Sequence, residues 1–225
     1  MKIEGEYTFD APRTLVWDAL QDPEVLAQVL PGADGLDEVG KDEYEGALKI
    51  KVGPVQGKFK GQIQIEDKVD LKSYNMKVDG KGAPGFVKAT GGIELNDAEE
   101  ARTHMAYAGD AKIGGRIASV GQRLMDSSAK AIIGQSLDAL NEYLKVEAAK
   151  LKVVEVASAA GASEEEIQEK IETEVEEYVA PTQAELAAAV SKEVAGNFFR
   201  DNATMIGFVL AVIAVIIILI IIFNA

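Results

Sequence analysis

The run Ala203–Phe223, ATMIGFVLAVIAVIIILIIIF, contains no charge and no proline, and only Asn224 and Ala225 follow it. A segment apolar on every face does not make one wall of a soluble core. At about 1.5 Å rise per residue it forms a helix of roughly 31 Å, which matches the hydrocarbon thickness of a bilayer. The run predicts one transmembrane helix over residues 203–223, a C-terminal anchor that holds the rest of the chain beside a membrane.

At the other end, MKIEGEYTFD alternates charged and apolar residues and has no basic start with an apolar run behind it. The expectation is no secretory signal, an inner (cytoplasmic) membrane location, and a soluble part facing the cytoplasm. Flanking charge adds little, because Glu193 and Asp201 offset Lys192 and Arg200. The chain has no cysteine, which rules out disulfides and thiolate metal sites.

The formal charge is −14, of which residues 1–145 carry −6 and residues 146–225 carry −8. With both parts acidic, nucleic acid is not an expected partner, and electrostatic attachment to anionic lipid is disfavoured. The apolar span is then the attachment.

Residues 1–145 read as one α+β domain with a curved antiparallel sheet. A strand covers Lys2 to Phe9. Two short helices follow, the first capped by Asp10 and carrying Val16, Trp17 and Leu20, the second opened by Asp22 and Pro23 and ended by Pro31 and Gly32. Five strand signals occupy Glu43 to Val52, Val55 to Glu66, Tyr74 to Gly80, Val87 to Leu95 and Arg102 to Ile113. Alternation is cleanest in VQGKFKGQIQIE, which turns Gln56, Lys58, Lys60, Gln62 and Gln64 to water and Val55, Phe59, Ile63 and Ile65 inward.

Glycine and alanine recur on the inward parity, at Gly5, Gly57, Gly61, Gly80, Ala89, Gly91, Gly109 and Ala111, among large residues such as Phe59, Ile63, Met76, Ile93, Met105 and Tyr107. The small residues either let the sheet bend or leave an apolar cavity, and a curved sheet accommodates both. Tyr107 would give such a cavity one phenol to orient a polar head group. A long helix from about Ile117 to Lys145 closes the open side, with Ile117, Val120, Leu124 and Ala131 on one stripe; Ile133, Leu137, Leu140 and Leu144 fall on nearly the opposite face. The loop GKGAPGF places Pro84 and Phe86 either at the cavity mouth or in a plain hairpin connection.

Residues 146–202 form an acidic linker, helical or disordered, in which Ser163 with Glu166 makes a capping box ahead of Ile167, Ile171, Val175 and Tyr178, and Thr182 with Glu185 starts a second helical stretch. Chemistry of the chain's own is sparse. His104 is the single histidine and falls on the water-facing parity, so no metal site is expected, and Ser127 and Ser128 have no histidine in pattern to activate them. No catalytic residue is expected, and the chain does not read as an enzyme.

The spans FDAPRTLVWDALQDPEVLAQVLPGADGL, YEGALKIKVGPVQGKFKG and AKIGGRIASVGQRLMDSSAKAI resemble, in that order, the CoxG family of carbon monoxide dehydrogenase subunits, a branch of the START-like (SRPBCC) helix-grip superfamily with plant allergen and polyketide cyclase relatives. The resemblance covers residues 1 to about 145. It implies a curved sheet gripping a long terminal helix around an apolar pocket, and association with a molybdenum hydroxylase of the carbon monoxide dehydrogenase type. The resulting expectation is a START-like ligand-binding domain at 1–145, the linker at 146–202 and the transmembrane helix at 203–223. The domain would carry respiratory quinone, menaquinone or ubiquinone, between bilayer and dehydrogenase, with no covalent cofactor. The pocket would be lined by Phe59, Ile63, Met76, Phe86, Ile93, Met105, Tyr107, Ile117, Val120 and Leu124, with space left by Gly57, Gly61, Gly91 and Gly109. The alternative is a structural anchor that recruits the dehydrogenase and transports nothing.

Overall fold

The computed structural model of the chain describes residues 1–175. The elements run β1 (Lys2–Phe9), α1 (Arg13–Ala19), α2 (Pro23–Val29), β2 (Ala33–Gly40), β3 (Glu43–Val52), β4 (Val55–Val69), β5 (Ser73–Gly82), β6 (Gly85–Ala98), β7 (Arg102–Gly114), α3 (Gln122–Ala159) and α4 (Glu164–Glu174). One antiparallel sheet orders its seven strands β1-β7-β6-β5-β4-β3-β2. The strand β2 (ADGLDEVG) carries no alternating pattern and gives no sequence signal; it is held by its register on β3, interrupted by irregularities at each end. The predicted span 203–223 and the stretch from Thr182 lie outside the described residues, among which no helix is long and apolar enough to cross a membrane.

Strand parity follows the sequence. Along β4, Phe59 is buried while Lys58 and Lys60 are exposed, and the inner face continues across the sheet through the rows Tyr107–Ile93–Tyr74 and Ile65–Met76–Gly91–Gly109. Asp22 caps α2 as expected, accepting hydrogen bonds from the backbone N–H groups of Glu24 and Val25. Asp10 does not cap α1, whose N-cap is Pro12. Instead the Asp10 backbone N–H donates to Asn141 Oδ1 at 2.8 Å, and Asn141 Nδ2 donates to the Asp10 carboxylate at 3.3 Å. The hydrogen bond from Asn141, helped by Lys145 at 3.4 Å, lowers the Asp10 pKa.

That pair ties the end of β1 to the middle of α3, and Asn141 is nearly buried. Asn141→Leu leaves the Asp10 N–H without its partner and is expected to cost about 1–3 kcal/mol, read as a lower midpoint in urea with unchanged slope. Because the folded-state pKa of Asp10 is depressed, its contribution is present above the ordinary aspartate range and lost as pH falls through the lowered value. The variant's deficit should therefore shrink in acid.

A 3₁₀ turn over Arg116–Val120, flanked by Gly115 (φ +87°) and Gly121 (φ +92°), swings the chain from β7 into α3. These left-handed positions suit glycine because a Cβ would strain them. The helix α3 does not end near Lys145 but runs unbroken to Ala159. Its second half turns Leu140 and Leu144 into a cluster with Phe9, Val16, Trp17, Val25, Leu95 and Met105, which accounts for the change of apolar stripe along the helix. Ser163 and Glu166 form the expected capping box at the start of α4.

Candidate functional site: the inner face beneath the long helix

The interior divides into two packed clusters at opposite ends of the sheet's inner face. At the α1–α2 end, Tyr74 and Tyr44 direct their hydroxyls to the carbonyls of Leu20 (3.4 Å) and Gln21 (3.3 Å), and Trp17 meets Tyr74 edge-on at 5.9 Å. Burial raises the pKa of both phenols, so both stay protonated donors. At the other end, Val52, Phe59 and Ile117 pack with Val55, Val87, Ile113, Val120 and Leu124.

Between the clusters the inner face carries several small residues: Gly46, Gly61 and Gly80 lie side by side in a row that ends at Val87 of the second cluster, and the next row, which begins at Tyr44, runs through Ile63 and Val78 to Ala89 and Ala111. On α3, Ser128, Ala131 and Gln135 follow Leu124 at helical spacing, and Ser128 and Ala131 are buried. Gln135 Oε1 is buried and has no hydrogen-bond partner among the described residues. An unpaired carbonyl in such a place is costly unless a ligand or water reaches it.

The predicted pocket residues are distributed over this plan. Phe59, Ile117, Val120 and Leu124 belong to the cluster beside Val52; Met76, Ile93, Met105 and Tyr107 belong to the cluster beside Phe9; Ile63 lies between them. The ring of Tyr107 lies over Gly5, and burial raises its pKa. Phe86 does not join them. It pairs with Lys81 and Gly114 on the outer face and is 40 % exposed, because Gly82 faces Gly85 across the turn, which puts Gly85 and Val87 on the inward parity and Phe86 between them on the outer one. Pro84, its expected companion at a cavity mouth, is instead fully buried.

The four glycines expected to leave space differ among themselves. A Cβ on Gly57 would run into the Pro84 ring, so that space is filled. Gly91 and Gly109 face each other across β6 and β7, where a Cβ would meet backbone at 2.8 and 2.6 Å; they permit close approach within a bent sheet. Of the four only Gly61 would take a Cβ without strain, in ordinary contact with the Asp79 carbonyl oxygen at 3.5 Å, and Gly80 beside it would do the same against the Val87 carbonyl oxygen at 3.8 Å. Gln135 and Ser128 escape a reading by apolar stripes, although counting from Leu124 in steps of four, three and four residues reaches both.

A curved antiparallel sheet wrapped on a long helix, with two small helices closing one end, is the START-like helix-grip class of fold. The family model for the carbon monoxide dehydrogenase CoxG subunit matches residues 5–145, and the chain belongs to that family. Similar solved structures include a conserved protein from Geobacillus kaustophilus, at 30 % identity and a TM-score of 0.62 over 64 % of this chain and 95 % of that one. The Zhui aromatase/cyclase from Streptomyces sp. R1128 (14 % identity, TM-score 0.51, 64 % and 93 % covered) and a START superfamily protein from Mycobacterium smegmatis (11 %, 0.50, 64 % and 97 %) share the fold. No curated protein matches the chain.

Proposed function

We propose that the domain is a non-catalytic carrier that takes respiratory quinone from the bilayer and presents it to a molybdenum carbon monoxide dehydrogenase-type enzyme. The observation that carries this reading is the band of small inner-face residues around Gly61 and Gly80, set between two packed clusters and beneath a helix whose buried Gln135 oxygen is unpaired. An isoprenoid tail would fill the band, and a reduced head group would donate a hydroxyl to Gln135. Quinone crosses water poorly, so a greasy sleeve tethered through residues 203–223 would deliver it at high effective concentration.

The rival, a recruitment factor with no cargo, is favoured by Gly57, Gly91 and Gly109, which packing and sheet curvature explain without any ligand. Native mass spectrometry of the full chain, released into the gas phase from nanodiscs containing menaquinone or ubiquinone, separates the two. Quinone retained near one per chain supports the carrier. A protein that leaves the disc empty in both cases sinks it and favours the recruitment factor.

A further inference from the structure

The chain's acidity hides a basic surface that only strand register reveals. On the outer face, at the end holding the β3–β4 and β5–β6 turns, Lys49 stands directly opposite Lys58, Lys60 opposite Lys81, and Lys88 opposite Lys112. With Lys51 this gathers seven exposed lysines on a chain of net charge −14. Like charges set directly opposite destabilise a sheet, so three such pairs need a compensating reason. Two carboxylates relieve part of the repulsion. Asp34 lies between Lys58 and Lys49, and Asp79 lies between Lys88 (2.8 Å) and Lys81 (3.7 Å); hydrogen bonds from Lys58 and Lys88 hold both carboxyls below the usual range. Lys51, Lys60 and Lys112 have no carboxylate within 4 Å among the described residues. The aromatic ring of Phe86, 40 % exposed, stands in the same row as Lys60 and Lys81.

We infer that this turn-bearing end of the outer face docks on an anionic lipid surface, with Phe86 entering the headgroup layer and the lysines meeting lipid phosphates. The charge pattern favours a membrane over nucleic acid. These seven lysines cluster at one end, whereas toward the far end of the same face Glu4, Glu6, Glu66 and Glu94 stand among only Lys2, Lys77 and Arg102, with Lys77 paired to Glu66. A long polyanion running across the face would meet those carboxylates, whereas a planar anionic surface touching one end would not. A basic patch with one exposed aromatic also suits interfacial binding, where cations attract the headgroups and the ring anchors. The inference does not depend on quinone, since an anchored recruitment factor would gain the same orientation.

The test uses the full chain carrying Phe86→Trp, reconstituted in vesicles that contain brominated phosphatidylcholine, with and without phosphatidylglycerol as a third of the lipid. The unsubstituted protein supplies the background, because Trp17 is buried. Quenching of the new tryptophan in the anionic vesicles, at least several-fold above that in neutral ones and reduced on raising salt from 0.1 to 1 M, where the screening length shortens from about 10 to about 3 Å, supports docking. The triple variant Lys60→Glu, Lys81→Glu, Lys112→Glu should lose it. Each cation contributes roughly five-fold to attraction, so these reversals weaken docking by at least about a hundred-fold. The salt arm requires no charge variant and stands even if the triple variant folds poorly. Equal quenching in neutral and anionic vesicles, or none in either, overturns the proposal and leaves the lysines to an acidic protein.

Discussion

Gly61→Phe is expected to reduce quinone retained by the full chain to less than about a tenth of the unsubstituted level, while the fold survives. The position has ordinary backbone geometry, and an added Cβ meets nothing closer than 3.5 Å. Its cross-strand neighbours on the inner face are Gly46 and Gly80, so a benzyl group would project into the band where cargo is proposed to lie. Filling space in a packed core costs about 1–3 kcal/mol, whereas filling an unoccupied one costs less, so the thermal midpoint should move by only a few degrees. Gly57→Leu provides the contrast. There the new side chain collides with the buried Pro84 ring and must displace the β5–β6 turn, and the expected result is a stability loss greater than that of Gly61→Phe. If Gly61→Phe retains quinone as well as the unsubstituted protein does, the small-residue band is not the carrier's site, and curvature alone explains the glycines.

The contrast also marks how far sequence alone reaches. Parity along VQGKFKGQIQIE places Phe59, Ile63 and Gly61 on the inner face, because the side-chain period of a strand is two and one face is buried. The same counting cannot say that Gly57 is already occupied by Pro84, since the two meet through a turn and not through strand spacing. Phe86 departs from its expected place for a related reason. The turn at residues 83–84 fixes which parity β6 inherits, and a loop such as GKGAPGF does not state its own length. The strand β2 is silent in sequence because ADGLDEVG has neither alternation nor β-branched residues beyond Val39, and its pairing with β3 holds it in place. Lysine clustering on the outer face is invisible for the opposite reason. Lys60 and Lys81 are 21 positions apart in sequence, and register alone sets them side by side. Net charge, which argues against an anionic surface, averages over that local order.

Leu144→Ala is expected to lower stability by about 2–5 kcal/mol, the range for emptying a fully buried leucine site. For a protein of this length about 1 kcal/mol corresponds to 2–4 °C, so the midpoint should fall by roughly 10 °C. Leu144 is 1 % exposed and sits with Leu140, Phe9 and Val16 where α3 crosses the two small helices. A methyl-sized remnant there would leave a cavity that surrounding residues cannot close, because Phe9 is held by β1 and Val16 by α1. Val156, farther along the same helix and 69 % exposed, is the control; Val156→Ala should change stability by less than about 0.5 kcal/mol. The pair measures where α3 stops belonging to the domain. Equal, small effects at both positions would mean that the second half of α3 does not pack on α1 and α2, and that its apolar stripe belongs to a partner instead. A large loss at Leu144 alone places the domain's energetic boundary beyond residue 144. The remaining turns of α3 then act as a stiff arm, which would set the distance between the gripped sheet and whatever follows Ala159.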